Sequence, residues 1–319
     1  MIFNWNSAVH SFIQPQYQET FPIPFFDLNP NCNKLIIEIG FGNGEFLESL
    51  ARENSDALCV GFDISLESCE RAVKRAGIHQ LNNMKVILGD AGVLMRELFA
   101  ENSVSGVFMN FPDPWPKKRH KEKRLIQESF IETLANILQP GAFYELVTDQ
   151  EFYAEEAKAI FDQSAYFEIE AYQKNPVRTI QTKYERKWLK LNRNIYRLKV
   201  KKMMHCEIQR IFEGDLMPHV KIRKEINPEN IISDLLGKEF RKNSILFKIM
   251  QMYRADEGNT ILLRTVSADD QFNQRFYIKI AKRDEGWMVK LDETTLPFRT
   301  PAVKYAVFEL GRILERSEA

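Results

Sequence analysis

Short apolar runs alternate with helix-period segments through the first part of the chain. Lys34–Ile39 (KLIIEI) is a near-continuous apolar run of strand length, and Glu45–Glu53 behind it repeats its apolar positions at helical spacing. The pair recurs: the strand Ala57–Phe62 with the helix Glu67–Ala76, then Met84–Leu88 with a short helix near Val93–Phe99. Val104–Met109 is a fourth strand, and Ile126–Leu138 a strongly amphipathic helix that Pro140 and Gly141 should stop. Ala142–Val147 and Phe167–Tyr172 predict further strands. Asn194–Lys202 (NIYRLKVKK) alternates apolar and basic residues as a half-exposed strand does. Strands alternating with helices predict an α/β fold, Rossmann-like, with a mostly parallel sheet closed by an antiparallel pair.

The pattern changes near Met204. Ser244–Tyr253, Thr260–Val266, Gln274–Ile280 and Gly286–Leu291 read as strands joined by turns at Asp256–Asn259, Asp269–Asn273 and Arg283–Gly286, and Ala302–Arg316 has helical period. We therefore expect two domains, residues 1–204 and a small antiparallel α+β domain at 205–319.

Charge changes this picture only through its distribution. The formal net charge is zero, which taken alone points away from nucleic acid. Yet Lys117, Lys118, Arg119, Lys121, Lys123 and Arg124 face the single acid Glu122, and between Lys174 and Lys202 the only acid among eleven basic residues is Glu185. Residues 206–319 carry 19 basic and 18 acidic side chains and show no such bias. No apolar run approaches the ~20 residues of a bilayer span, and no basic segment followed by an apolar core opens the chain. Cys32, Cys59, Cys69 and Cys206 are scattered, and the five histidines show no metal-ligand spacing. Buried free thiols, no metal, no membrane and a cytoplasmic location are the expectations, with the oligomeric state, monomer or homodimer, left open.

Candidate chemistry begins at Glu38-Ile39-Gly40-Phe41-Gly42-Asn43-Gly44, between the first strong strand and its helix. Gly40, Gly42 and Gly44 permit a tight turn and close approach of a ligand to the backbone. Asp63 ends the next strand and Asp90 follows the third, so Glu38, Asp63 and Asp90 fall at one end of neighbouring strands. In doubly wound folds that end is where ligands bind. Three acceptors there suit a ribose, an adenine amino group and a cationic amino-acid tail, and they repel a pyrophosphate. S-adenosyl-L-methionine is therefore expected rather than a dinucleotide. Any one of the acids alone reads equally well as a helix cap or a solvated group.

The fourth strand runs into Asn110-Phe111-Pro112-Asp113-Pro114-Trp115-Pro116-Lys117-Lys118-Arg119-His120. Three prolines stiffen this loop. A carboxylate and an aromatic fixed above a cofactor suit nucleobase recognition, and the basic residues after them suit phosphates. The plainer alternative is a proline-rich connection with a solvated charge run.

With Gly89-Asp90-Ala91, Val147-Thr148-Asp149 and Thr182-Lys183-Tyr184-Glu185, these segments resemble the bacterial tRNA (guanine-N7)-methyltransferases of the TrmB type, over roughly residues 1–204. The resemblance implies a class I methyltransferase fold, S-adenosyl-L-methionine as methyl donor, and tRNA as partner, with the guanine at position 46 of the variable loop as target. It implies cofactor contacts from Glu38, Asp63, Asp90 and Asp113, a catalytic role for Asp113, and substrate contacts from Lys117, Asp149, Thr182, Lys183, Tyr184 and Glu185. Where the family often has Glu, this chain has Asp63. Asp149 also reads as a helix N-cap, and Glu185 as a surface partner of Arg186 or Lys187. A methyltransferase of another RNA or of a protein, or a non-catalytic RNA-binding protein on the same scaffold, are the competing readings. The resemblance does not account for residues 205–319. They either extend the RNA surface, through Lys221, Arg223 and Lys224, or serve stability or oligomerisation.

Overall fold

The computed structural model describes residues 10–178, 180, 183–212, 217–255, 259–270 and 272–317, with the side chains of Lys118, Lys183, Tyr184 and Leu189 outside that description. The chain divides into two compact units, one holding the residues up to Pro15 and from Pro22 to Arg210, the other Gln16–Phe21 and the residues from Ile211 onward.

The first unit is built on an eight-stranded sheet of β1 (Phe12–Ile13), β2 (Lys34–Ile39), β3 (Ala57–Asp63), β4 (Met84–Leu88), β5 (Val104–Asn110), β6 (Leu138–Thr148), β7 (Phe167–Lys174) and β8 (Tyr196–Lys202). Their spatial order is β1-β4-β3-β2-β5-β6-β8-β7. β1 to β6 are parallel, and β8 runs antiparallel to both its neighbours. The helices are α1 (Glu45–Glu53), α2 (Leu66–His79), α3 (Ala91–Leu98), α4 (Glu128–Ile137), α5 (Glu151–Asp162) and α6 (Lys183–Lys190).

β2 is buried from Leu35 to Ile39, as a strand covered on both faces must be. Its central place explains the continuous apolar run. α1 turns Phe46, Leu47, Leu50 and Ala51 inward, where they pack with Cys59, Cys69 and Ala72. All four cysteines are buried and free, as expected. Chain order reverses at β2, with β3 and β4 on one side and β5 and β6 on the other. The crevice beyond its carboxyl end is the topological switch point where such sheets bind ligands.

The helix expected to stop before Pro140 and Gly141 does so, α4 ending at Ile137, but β6 begins at once with Leu138 rather than at Ala142, so both residues lie within the strand. Leu138 pairs with Val104, and the register then jumps to Phe143 opposite Gly106. Pro140 sits in this bulge, where its missing N–H removes no ladder bond, and Gly141 takes φ 79°.

The second unit contains an antiparallel sheet in the order β10-β11-β12-β13-β14-β9. Its strands are β9 (His219–Ile222), β10 (Glu239–Lys242), β11 (Ile245–Arg254), β12 (Thr260–Asp269), β13 (Phe272–Arg283) and β14 (Gly286–Leu291), accompanied by α7 (Pro228–Ser233) and α8 (Pro301–Arg316). α8 lays Val303, Ala306, Val307, Leu310 and Leu314 into one core with Phe247, Ile249, Leu263, Phe276, Ile278 and Val289. Phe21 from the N-terminal segment meets the rings of Phe212 and Phe298 edge-on, and Arg299 donates to the Gln18 carbonyl at 2.9 Å. β9, β10 and α7 were not anticipated from the sequence: four-residue strands and a six-residue helix are too short for periodicity to register. Among the described residues no helix is long and apolar enough to cross a membrane.

Candidate cofactor and substrate site

The turn after β2 is shaped by its glycines. Gly40, Gly42 and Gly44 have φ of 69°, 57° and 76°, the left-handed region that side chains disfavour. Gly42 N–H donates to Asp63 Oδ2 at 2.9 Å, and Ser65 N–H to Asp63 Oδ1 at 2.9 Å. Asp63 therefore ties the glycine turn to the end of β3. Each of its oxygens keeps a second acceptor position for a ligand. Asp90 is exposed and is the N-cap of α3, accepting from Gly92 N–H at 2.8 Å. The capping alternative is thus realised for Asp90, at the same strand end as the other two acids.

Glu38 is the unusual group. It is buried, its Oε1 accepts from Asn110 Nδ2 at 3.4 Å, and among the described residues its Oε2 has no hydrogen-bond partner. Burial pushes its carboxyl up to about 8, against the opposing effects of the Asn110 hydrogen bond and the Arg178 charge. A buried acceptor without a donor asks for an external one. A methyl group placed on Gly40 or Gly42 would meet nothing within 4 Å, so space lies open above the turn. These two observations fit S-adenosyl-L-methionine. Glu38 offers an acceptor for a ligand cation or hydroxyl, and the bare glycine backbone permits close approach.

Asn110 ends β5 and begins a chain of polar contacts. Its Oδ1 accepts from Arg178 Nη2 at 2.9 Å, and Arg178 Nη1 donates to Glu185 Oε2 at 2.8 Å. The same guanidinium lies 3.4 Å from Glu145 Oε1 and over the Phe46 ring at 5.3 Å. Arg197 holds the other oxygen of Glu145, at 2.6 and 2.9 Å. Glu185, only 1% exposed, is no surface partner of Arg186 or Lys187. Arg186 instead reaches Glu45 on α1 at 2.7 Å. The network thus runs Glu38–Asn110–Arg178–Glu185, from the cofactor turn to the segment expected to bind substrate. Arg178 and Glu145 carried no sequence signal of this role, nor did Asn110 beyond opening the proline-rich loop, because their meaning comes from contacts across 33 to 68 positions of chain.

The proline-rich loop leaves β5 with Phe111 at φ 51° and passes Trp115 at φ 42°. Arg124 fastens it, donating to the Trp115 carbonyl at 2.8 Å and the Pro114 carbonyl at 3.1 Å while paired with Glu156 on α5. Its buried side chain removes it from the residues expected to meet phosphates. The Trp115 ring packs edge-on to His120 and beneath Lys123 Nζ, 4.7 Å from its centre. Asp113 is exposed, and among the described residues no hydrogen bond or ion pair engages its carboxylate. Lys117 is likewise exposed. Asp149, at the end of β6, accepts from Gln150 Nε2 at 2.8 Å and Arg193 Nη1 at 3.3 Å. The N-cap of α5 is Gln150, so Asp149 does not have the capping role. Thr182 and the side chains of Lys183 and Tyr184 lie outside the described residues.

A sheet reversed at β2, a glycine turn under an unsatisfied carboxylate, and acids at successive strand ends define a class I, S-adenosylmethionine-dependent methyltransferase. A family model for methyltransferases, Methyltransf_4, matches residues 32–198. A tRNA (guanine-N(7)-)-methyltransferase of Thermotoga maritima is 36% identical over 297 residues, covering 92% of this chain and 94% of the relative. That of Coprothermobacter proteolyticus is 32% identical over 301 residues, covering 93% and 91%. That of Nitrosococcus oceani is 35% identical over 167 residues, covering 52% and 71%. The chain belongs to the tRNA (guanine-N7)-methyltransferase family. With the first two relatives the likeness extends into the second unit.

Proposed function

We propose that this enzyme methylates N7 of the guanine at position 46 in the tRNA variable loop. Asp113 would act as the catalytic carboxylate, and Lys117, Asp149 and Thr182 to Glu185 would form the substrate site. The observation that carries the reading is the Asp113 loop: a free carboxylate at the carboxyl end of β5, beside the switch point, on backbone fastened by Arg124. Guanine N7 has a lone pair and no proton, so attack needs no general base. When bound, S-adenosylmethionine would supply an activated methyl whose transfer to N7 leaves the C–S electron pair on sulfur and the positive charge on the purine. Asp113 would stabilise that developing charge, and a stiff loop would fix it beforehand. Asp149 and Glu185 supply acceptors for guanine N1–H and N2–H, which adenine cannot match.

The test is incubation of the purified protein with unmodified tRNA transcript and labelled methyl donor, followed by nucleoside analysis. Label is expected in 7-methylguanosine and absent from a transcript with adenosine at position 46. Asp113→Asn should lower kcat by roughly 100-fold or more. Label in another nucleoside, or full retention when position 46 is changed, overturns the target assignment.

A further inference from the structure

We propose that the open face of the second unit's sheet is a docking surface for the phosphate backbone of the RNA substrate. The proposal rests on the tRNA reading above and concerns residues it does not use. The cross-strand registers sort the strand residues into two faces. One holds Phe247, Ile249, Leu263, Phe276, Ile278 and Val289 and is covered by α8. The other is half-exposed or exposed apart from Ala281 and Gly286, and its cations come from all six strands: Lys221, Arg241, Lys248, Arg264, Arg275 with Lys279, and Lys290. The one acidic residue on that face among the described strand residues is Glu239, on the edge strand β10, and it pairs with Arg241 at 2.8 Å. The unit is nearly neutral in composition because its other acids occupy loops, helices and the covered side. The charge separation between faces is a product of folding.

The placement is unfavourable for stability. Lys279 lies directly opposite Lys290, and Lys290 directly opposite His219, so one row crosses three strands with basic side chains. Like charges opposed across strands destabilise a sheet. Glu293 answers Lys290 from the loop at 2.7 Å, and among the described residues no ion pair engages Lys279. A dense cationic face matches a polyanion, for which counterion release supplies affinity. Tyr253 and Tyr277, with ring centres 6.2 Å apart, lie among the cations with half-exposed or exposed rings. Aromatics interleaved with cations suit nucleic acid, since bases stack on rings where phosphates meet ammonium groups. A protein partner of ordinary charge would have to desolvate these groups without matching them.

The experiment uses the full-length protein and unmodified tRNA transcript, with affinity measured across a series of salt concentrations. The variant carries Arg264→Gln, Arg275→Gln and Lys279→Gln together; all three side chains lie on the open face, outside the core. Loss of three phosphate contacts should flatten the slope of log affinity against log salt by about 2 to 3, at roughly 0.9 per contact. Affinity at low salt should fall tenfold or more, with S-adenosylmethionine binding and the melting temperature preserved. The charge-preserving variant Arg264→Lys, Arg275→Lys, Lys279→Arg should restore the slope, which a merely structural role would not do. Unchanged slope and affinity in the glutamine variant overturn the proposal while leaving the tRNA reading intact. Failure of the wild type itself to bind tRNA removes that reading and the proposal with it.

Discussion

Replacing Glu38 with glutamine should stabilise the ligand-free protein at alkaline pH and abolish cofactor binding. In the unfolded chain this carboxyl titrates near its ordinary value of 4.5, whereas in the folded protein burial raises it to about 8. A raised folded value means the fold prefers the protonated form. The stability that preference gives is complete below 4.5 and is lost as pH rises through 8. At roughly 1.4 kcal/mol per tenfold change in equilibrium, the interval corresponds to about 5 kcal/mol at most. Glutamine does not ionise, but its amide inherits the place of the partnerless Oε2, at about 1–3 kcal/mol for an unsatisfied buried group. The variant should therefore be equal to or less stable than wild type at pH 5, and more stable by about 2–4 kcal/mol at pH 8.5 and above. Urea unfolding of both proteins from pH 5 to 9 measures the gap, and calorimetric titration with S-adenosylmethionine measures binding. In the wild type, affinity for the cofactor should strengthen as pH rises towards 8 and the carboxylate forms. A stability gap that does not change with pH would refute the assignment of a buried, proton-holding carboxyl. Undiminished binding by the variant would show that Glu38 is not the cofactor's acceptor.

Arg178→Met removes the guanidinium facing Glu145 and Glu185 and leaves buried carboxylates less compensated, so unfolding free energy should drop by about 3–5 kcal/mol. Arg178→Lys should recover much of that stability. It cannot span Asn110 and Glu185 with a planar fork, so its kcat/KM for tRNA should stay at least tenfold low while cofactor affinity changes little. In the second unit, Gly286→Ala forces a side chain into φ 124° and against the Ile222 carbonyl oxygen on β9. A melting curve should show a loss of several degrees, corresponding to roughly 2 kcal/mol or more, and an unchanged melt would mean that the hairpin between β13 and β14 relaxes freely.

What the sequence made legible divides by the range over which each signal acts. β2, β3 and their helices could be read because burial on both faces writes an uninterrupted apolar run, and a helix face repeats within four residues. The glycine turn and the loop from Asn110 to His120 were legible for a similar reason, since backbone demands are local and only particular residues meet them. Where a local rule met a tertiary one the reading broke. Pro140 and Gly141 were expected to separate helix from strand, but pairing of Leu138 with Val104 pulled β6 back to the helix end and left the proline in a bulge. The polar network was not legible at all. Arg178 looks like one member of a basic stretch, as does Arg124, and nothing local distinguishes either from the exposed Lys117. What distinguishes them is the set of distant acceptors that the fold delivers: Glu145 and Glu185 to Arg178, and Glu156 with the Trp115 carbonyl to Arg124. The second unit carries the same lesson in charge. A near balance of cations and anions along the chain gives no hint of a partner, yet alternation along six strands is enough to collect mostly one sign on one face. Charge summed over sequence therefore understates polyanion binding whenever a sheet leaves one face open, and register is the quantity that recovers it.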